Sequence, residues 1–392
     1  MTDVAVVGLG KMGLSHLSIV NAHPDVRLVG ACDASGLVLD VLSKYTGMPV
    51  FEDYTEMLDN AAPEAVIIAT PTALHEPMIR AALERGIHVF SEKPLFLDPN
   101  GGGDLVRLAT ERGLVTQVGY HNRFVAAFAE ARRLVAAGAI GTVTTTLAEA
   151  YGPVVLKAAG RTWRSQASAG GGSLYDYAAH PLNLVTWYLG APESVSGSRL
   201  TSIFSGQTDD AVATTLHYPQ GTAQLSVNWS DESQRKMTTR ITLWGTRGRI
   251  YVDRQELQLY IREDAPAPEG YRSGWNVRYT TDMTTAPSFY LRGEEYSAQI
   301  DAFVQRVHAK QVDGLNDFSS ALLTDQVIKA IASDAMREGG RWSLADARAV
   351  TAAPVATPSG GALRVLSGGL RGVARSGRRL AERTLRGRKR VS

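Results

Sequence analysis

Cysteine is almost absent: Cys32 is the only one in 392 residues. An intrachain disulfide is excluded, and the usage fits a reducing compartment. Cys32 falls in an apolar run and reads as a small buried hydrophobe. Long apolar runs are missing too, with nothing near the roughly 18 consecutive apolar residues of a membrane span. The chain opens into the strand candidate Val4-Ala5-Val6-Val7 without the basic start and apolar core of a signal peptide, so a cytoplasmic protein is expected. No cluster of His, Cys and carboxylate residues has metal-ligand spacing, so no metal is expected. Neither a G-x-S-x-G nor a Walker sequence occurs. A basic, aromatic-interleaved groove is also lacking, and no nucleic-acid partner is expected.

What is present is an ordinary globular composition, 44% hydrophobic and 20% charged, in a chain too long for one core. The net charge of +2 hides an asymmetry. Residues 361–392 hold ten Lys or Arg against Glu382 alone, a charge of +9, which leaves 2 − 9 = −7 for the rest. Residues 351–362 read as a linker. Residues 363–392 read as a basic tail, either disordered or an amphipathic helix whose partner is an anionic membrane surface. The location this implies is the cytoplasm, peripheral at the inner face of the membrane.

Residues 1–122 alternate strand candidates (3–7, 26–32, 64–69, 87–90, 115–118) with helical patterns (12–22, 36–46, 75–84, 101–112). Connections this short imply an α/β Rossmann domain, a doubly wound parallel sheet. After a helical stretch at 124–137 the style changes. Strands follow strands, with hairpin signals at Pro219-Gln220-Gly221 and Gly245-Thr246-Arg247-Gly248. Residues 266–293 read as a long irregular loop over a site, followed by helices near 294–309 and 318–337. Residues 123–350 are thus expected to form an α+β domain with a large, mainly antiparallel open sheet.

The sequence Gly8-Leu9-Gly10-Lys11-Met12-Gly13 follows the first strand and opens the first helix. Gly8 permits the tight turn, Gly10 lets a pyrophosphate approach, and Gly13 lets helix and strand pack. With Lys11 and Met12 they form the cofactor loop, and the helix start supplies free amides and a positive dipole end. Asp33 ends the second strand twenty positions beyond Gly13, where an acid binds ribose hydroxyls. Nothing basic follows at Ala34, Ser35 or Gly36, which favours NAD over NADP. Thr70-Pro71 and Glu92-Lys93 end later strands and border the same crevice, and His75 lies within reach of it. Enclosure there lowers a lysine pKa. His16 reads as a packed residue.

In the second half, Gly170-Gly171-Gly172 leads into a helix carrying Asp176 and His180, i, i+4 neighbours on one face. Hydride transfer from an alcohol needs a base, and histidine titrates in the right range. A carboxylate one turn away can orient the ring, and the glycines let a substrate come close.

Taken in order, these motifs resemble the Gfo/Idh/MocA family of glucose–fructose oxidoreductase and inositol dehydrogenase over roughly residues 3–350. The match also takes in Gly119-Tyr120-His121-Asn122-Arg123-Phe124, Trp163-Arg164 and Gly245–Gly248. The resemblance implies that Lys93 stabilises charge on the reacting oxygen, that His180 is the general base or acid, and that Asp176 binds substrate and assists it. It implies a substrate pocket lined by Tyr120, Asn122, Arg123, Trp163, Arg164 and Tyr177, a cis Lys93–Pro94 bond, and a homodimer or homotetramer through the sheet face. Asn183, Tyr177 and Ala178 depart from the family's pattern, and the bulky, polar Tyr177 implies a pocket of different shape. The function implied is hydride transfer between nicotinamide and a secondary hydroxyl or ketone of a sugar, sugar nucleotide or cyclic polyol. The alternatives are a glycoside hydrolase or lyase using tightly bound NAD as an internal oxidant, or a non-catalytic NAD-sensing protein.

Overall fold

The structure, a computed structural model, describes residues 1–157, 162–287 and 289–337. The linker and the basic tail lie outside the described residues.

The first sheet has six strands: β1 (Thr2–Val7), β2 (Val26–Cys32), β3 (Val50–Phe51), β4 (Ala65–Ile68), β5 (His88–Ser91) and β6 (Thr116–Val118). All are parallel, in the order β3-β2-β1-β4-β5-β6. That is the doubly wound order, which leaves a crevice at the carboxyl ends of β1 and β4, where the winding reverses. Val4, Ala5, Val6 and Val7 are all buried, as a strand covered on both faces demands. The helices α1 (Lys11–Ala22), α2 (Gly36–Thr46), α3 (Tyr54–Ala61), α4 (His75–Glu84) and α5 (Gly102–Glu111) make the crossovers. Two elements go beyond the sequence expectation. β3 is only two residues long, and α3 is signalled by Asp53, whose carboxylate caps the Glu56 amide at 2.8 Å.

Past α6 (Ala126–Ala136) comes an eight-stranded sheet: β7 (Val143–Tyr151), β8 (Ser194–Thr201), β9 (Ala211–Tyr218), β10 (Gly221–Asn228), β11 (Thr238–Gly245), β12 (Gly248–Val252), β13 (Glu256–Ile261) and β14 (Gly274–Tyr279). It is antiparallel except where β10 lies parallel to β7. One face carries Ala148, Ile241, Ile250 and Leu259, all buried beneath α6 and α7 (Ala179–Leu189). The expected loop over 266–293 is corrected by β14 and the short α8 (Thr280–Met283). Burial alternates along β14, so Trp275, Val277 and Tyr279 project from the open face, and exposed aromatics at a sheet edge hid the strand's usual half-buried signature.

The last two helices tie the halves together. On α9 (Glu294–Ala309), Ile300, Phe303, Val304 and Val307 join the core of the first sheet with Val4, Val6 and Phe90. α10 (Phe318–Met336) packs on α7, β8 and α5.

Candidate active site

The glycine loop is built as its spacing requires. A Cβ on Gly13 would sit 1.7 Å from the Gly8 carbonyl oxygen, whereas one on Gly10 would meet nothing within 4 Å. Gly8, at φ +84°, lies against Thr70, so the Thr70–Pro71 turn lines the same pocket. α1 starts at Gly10 with no side-chain cap and no acid in its first turn, leaving its first amides free. Asp33 accepts the Leu9 amide at 2.5 Å and the Ser35 amide at 2.8 Å, which spends part of its carboxylate on shaping the loop and leaves the rest for hydroxyls. A dinucleotide fits this cradle. The amides from Gly10 through Gly13, with Lys11 and Met12, would hold its pyrophosphate, and Asp33 its ribose.

Next to it the loop after β5 presents Glu92 and Lys93. The Lys93–Pro94 peptide is cis, as the resemblance implied. Glu92 accepts from fully buried His16 at 2.7 Å and from the Lys93 amide at 3.1 Å. Burial works against its charge, but His16 and Lys93 prevail and hold its pKa below the usual range. His75, expected to touch the cofactor, has both ring nitrogens engaged elsewhere, Nε2 3.0 Å from Thr70 O and Nδ1 3.0 Å from Pro94 O.

The second half of the site comes from the segment that opens α7. Residues Leu174–Ala178 form a π-helical turn before the α-helix proper. Asp209 anchors it, accepting from Ser173 Oγ and the Leu174 amide at 2.7 Å each. The glycines ahead of it are also required by packing. A Cβ on Gly171 would meet Arg164 O at 2.3 Å, and one on Gly172 would meet Asp209 Oδ1 at 2.3 Å.

The two halves meet at Lys93 and Asp176. Lys93 Nζ donates to Asp176 Oδ1 at 2.8 Å and to its carbonyl oxygen at 2.9 Å, while Arg164 Nε donates to Oδ2 at 3.0 Å. Burial alone would push the Asp176 carboxyl up; Lys93 and Arg164 outweigh it and keep it low. Asp176 therefore does not orient His180, contrary to the expectation from their spacing. The His180 ring is 5% exposed, with Nδ1 unpartnered. It is walled by Tyr120 (ring centroids 6.4 Å apart) and His121 (5.0 Å). Burial first, then the charges of Lys93 and Arg254, press its pKa well below the ordinary imidazole value. An imidazole kept neutral beside an ammonium can take a proton from an alcohol whose oxygen the ammonium holds.

The expected pocket residues divide. Arg164 stands at the site with its guanidinium 4.5 Å over the Trp163 ring, and Trp163 is 42% exposed. Tyr120 and Asn122 are buried, Tyr120 against the His180 ring. Tyr177 is buried against Gly152 and Trp229. Arg123 is turned elsewhere. Its guanidinium reaches Asn183 O at 3.0 Å, Ser320 Oγ at 3.4 Å and the Trp187 ring, and it lines a cavity with Trp187 and Ser320 rather than the Lys93–His180 site. Sequence reasoning passed over His121, stacked on Tyr296 at 4.6 Å, and Arg254, paired with Glu295. His121 was legible, being part of the Gly119–Phe124 motif; Arg254 and Tyr296 carry no local signal.

The family model described as "Oxidoreductase family, NAD-binding Rossmann fold" matches residues 2–120, and the Gfo/Idh/MocA C-terminal domain matches residues 128–251. The chain belongs to the Gfo/Idh/MocA family. Among its relatives is scyllo-inositol 2-dehydrogenase (NAD(+)) of Bacillus subtilis (strain 168), 31% identical over 259 residues, covering 63% of this chain and 72% of the relative. Another relative is 2,7-anhydro-N-acetylneuraminate hydratase of Escherichia coli (strain K12), 27% identical over 273 residues, covering 67% of this chain and 70% of the relative. A solved structure of levoglucosan dehydrogenase with NADH and L-sorbose shares the fold at a TM-score of 0.75, with 20% identity, covering 86% of this chain and 97% of that one. Among the described residues no helix is long and apolar enough to cross a membrane.

Proposed function

We propose that this chain is an NAD-dependent dehydrogenase or reductase acting on a secondary hydroxyl, or the matching ketone, of a sugar, sugar nucleotide or cyclic polyol. One observation carries the reading. Lys93 Nζ lies 2.8 Å from Asp176, one helical turn before the buried His180 whose Nδ1 has no partner, beside a glycine loop built for a dinucleotide. The bound nicotinamide would supply the hydride acceptor or donor. The rest falls to side chains. Lys93, held by Asp176, presents its charge to the hydroxyl oxygen and favours the alkoxide-like state. His180 takes the hydroxyl proton in oxidation and returns it in reduction. Arg164 keeps Asp176 ionised, and Trp163 offers an aromatic face to the sugar ring.

NAD is favoured over NADP because Asp33 directly follows β2, where an acid binds ribose hydroxyls, and no basic residue follows at 34–36. A homo-oligomer is favoured by the open face of the second sheet, where Trp244, Trp275, Val277 and Tyr279 are exposed. Screening NAD reduction against inositols, free sugars and UDP- or dTDP-sugars tests the assignment. Turnover of at least one of these alcohols is expected, and none with any of them defeats it. A second reading is redox-assisted cleavage with the cofactor as internal oxidant, kept open because one relative is named a hydratase and not a dehydrogenase. A stoichiometric NADH burst without net NADH release would select it.

A further inference from the structure

Two buried titratable side chains have no part in the chemistry described so far, and both grip the loop that carries Lys93. His75, on α4, faces the carbonyl oxygens of Pro94 at 3.0 Å and Leu95 at 3.3 Å. Asp325, on α10, accepts the Phe96 amide at 2.8 Å through Oδ2 and the Tyr120 hydroxyl at 3.5 Å through Oδ1. Peptide groups from three successive residues are thus held by side chains from two distant helices. The stretch from Glu92 to Asp98 has no regular secondary structure, so its own backbone ladder does not fix it.

Asp325 is 2% exposed, and among the described residues no Lys or Arg pairs with it. A carboxyl without a cation is an expensive acceptor for one amide in apolar surroundings. Its two oxygens reach different parts of the site. One holds the loop three residues beyond Lys93. The other meets Tyr120, whose ring edge walls His180. Nothing in the sequence marks it, since it sits mid-helix, 149 positions after Asp176.

We propose that Asp325 is a positioning residue for the reaction: with His75 opposite, it clamps the Pro94–Phe96 loop so that the Lys93 ammonium meets Asp176 and the substrate oxygen. The proposal rests on the assignment of Lys93 as a reacting group. Misplacement of a catalytic group by about 1 Å costs on the order of 10²-fold in rate.

The test compares Asp325→Leu, which keeps volume but removes the acceptor, with Asp325→Asn, which keeps an acceptor for the Phe96 amide. In Asp325→Leu, kcat is expected to fall about 10²-fold while the Kd for NADH stays within about twofold; Asp325→Asn restores most of kcat. A second readout needs no substrate. Acylation of Lys93 by an amine-reactive reagent, followed by peptide mass spectrometry, should be about tenfold faster in Asp325→Leu and near wild type in Asp325→Asn, because the loosened loop opens more often. If Asp325→Leu does not fold, Asp325→Ala carries the same comparison. Unchanged labelling and unchanged kcat in the folded variant overturn the proposal, as does an Asp325→Asn enzyme as impaired as Asp325→Leu. Faster labelling with normal kcat overturns the link to the reaction. A wild type inactive on every alcohol defeats the functional reading alone, and the labelling still decides whether Asp325 holds the loop.

Discussion

At the scale of single residues the site is an exchange of charge among Lys93, Asp176, Arg164 and His180. Lys93→Ala and His180→Ala should each lower kcat by at least about 10³-fold, since each removes stabilisation made in the transition state. NADH binding should persist, as neither side chain belongs to the glycine loop; near-normal rates in either variant refute the roles given them. His180 also sets the pH dependence. Its pKa lies well below the ordinary 6.5, so folding disfavours the protonated ring. The stability it contributes is complete above the unfolded pKa and is lost as pH falls through that value towards the folded one. Oxidation follows the same sign, holding its rate at neutral pH and failing on the acid side below the usual imidazole range. Arg254→Gln removes one of the two cations that depress this pKa. The acid limb of kcat/KM should then move to higher pH, and a limb that stays in place rules out Arg254 as its cause.

At the scale of elements the glycine loop separates folding from binding. Gly10→Ala adds a methyl that meets no protein atom, so Tm should hold while the Kd for NADH rises about tenfold or more as the methyl meets the pyrophosphate. Gly13→Ala drives its methyl into the Gly8 carbonyl, so calorimetry should show a lower Tm as well as lost binding. Equal Tm values for the two would contradict the packing described. These positions were legible in the sequence because local spacing encodes them: a strand, a glycine turn and a helix start lie within a few residues. The helix bearing Asp176 and His180 was legible for the same reason, yet the partnership of its two side chains was not. Lys93 and Arg164 reach Asp176 from segments 83 and 12 positions away, and no periodicity records such meetings. Arg123 misled because a motif gives a residue's address and not its direction. β14 was hidden because its outward residues, Trp275, Val277 and Tyr279, are large and hydrophobic where a free edge is usually polar or charged.

At the scale of the molecule, the open sheet face and the charge of the C-terminal sequence each give a prediction. The open sheet face presents Trp275, Val277 and Tyr279 in a row on its edge strand. Trp275→Glu with Val277→Asp should shift the protein to a smaller species in sedimentation; an unchanged mass would place any subunit contact elsewhere. The basic residues of 363–392 predict salt-sensitive retention on anionic vesicles for the full chain and not for a 1–360 truncation. Equal pelleting of the two removes that idea.

The Lys93–Asp176 contact has one further consequence. Two of the ammonium's three N–H donors are spent on Asp176, which leaves one for an arriving hydroxyl. The neighbouring carboxylate also damps the positive charge that the ligand meets. Weak ground-state affinity is the natural result, while an oxygen that gains negative charge draws on the remaining donor most strongly. The built-in rival thus discriminates between substrate and activated complex.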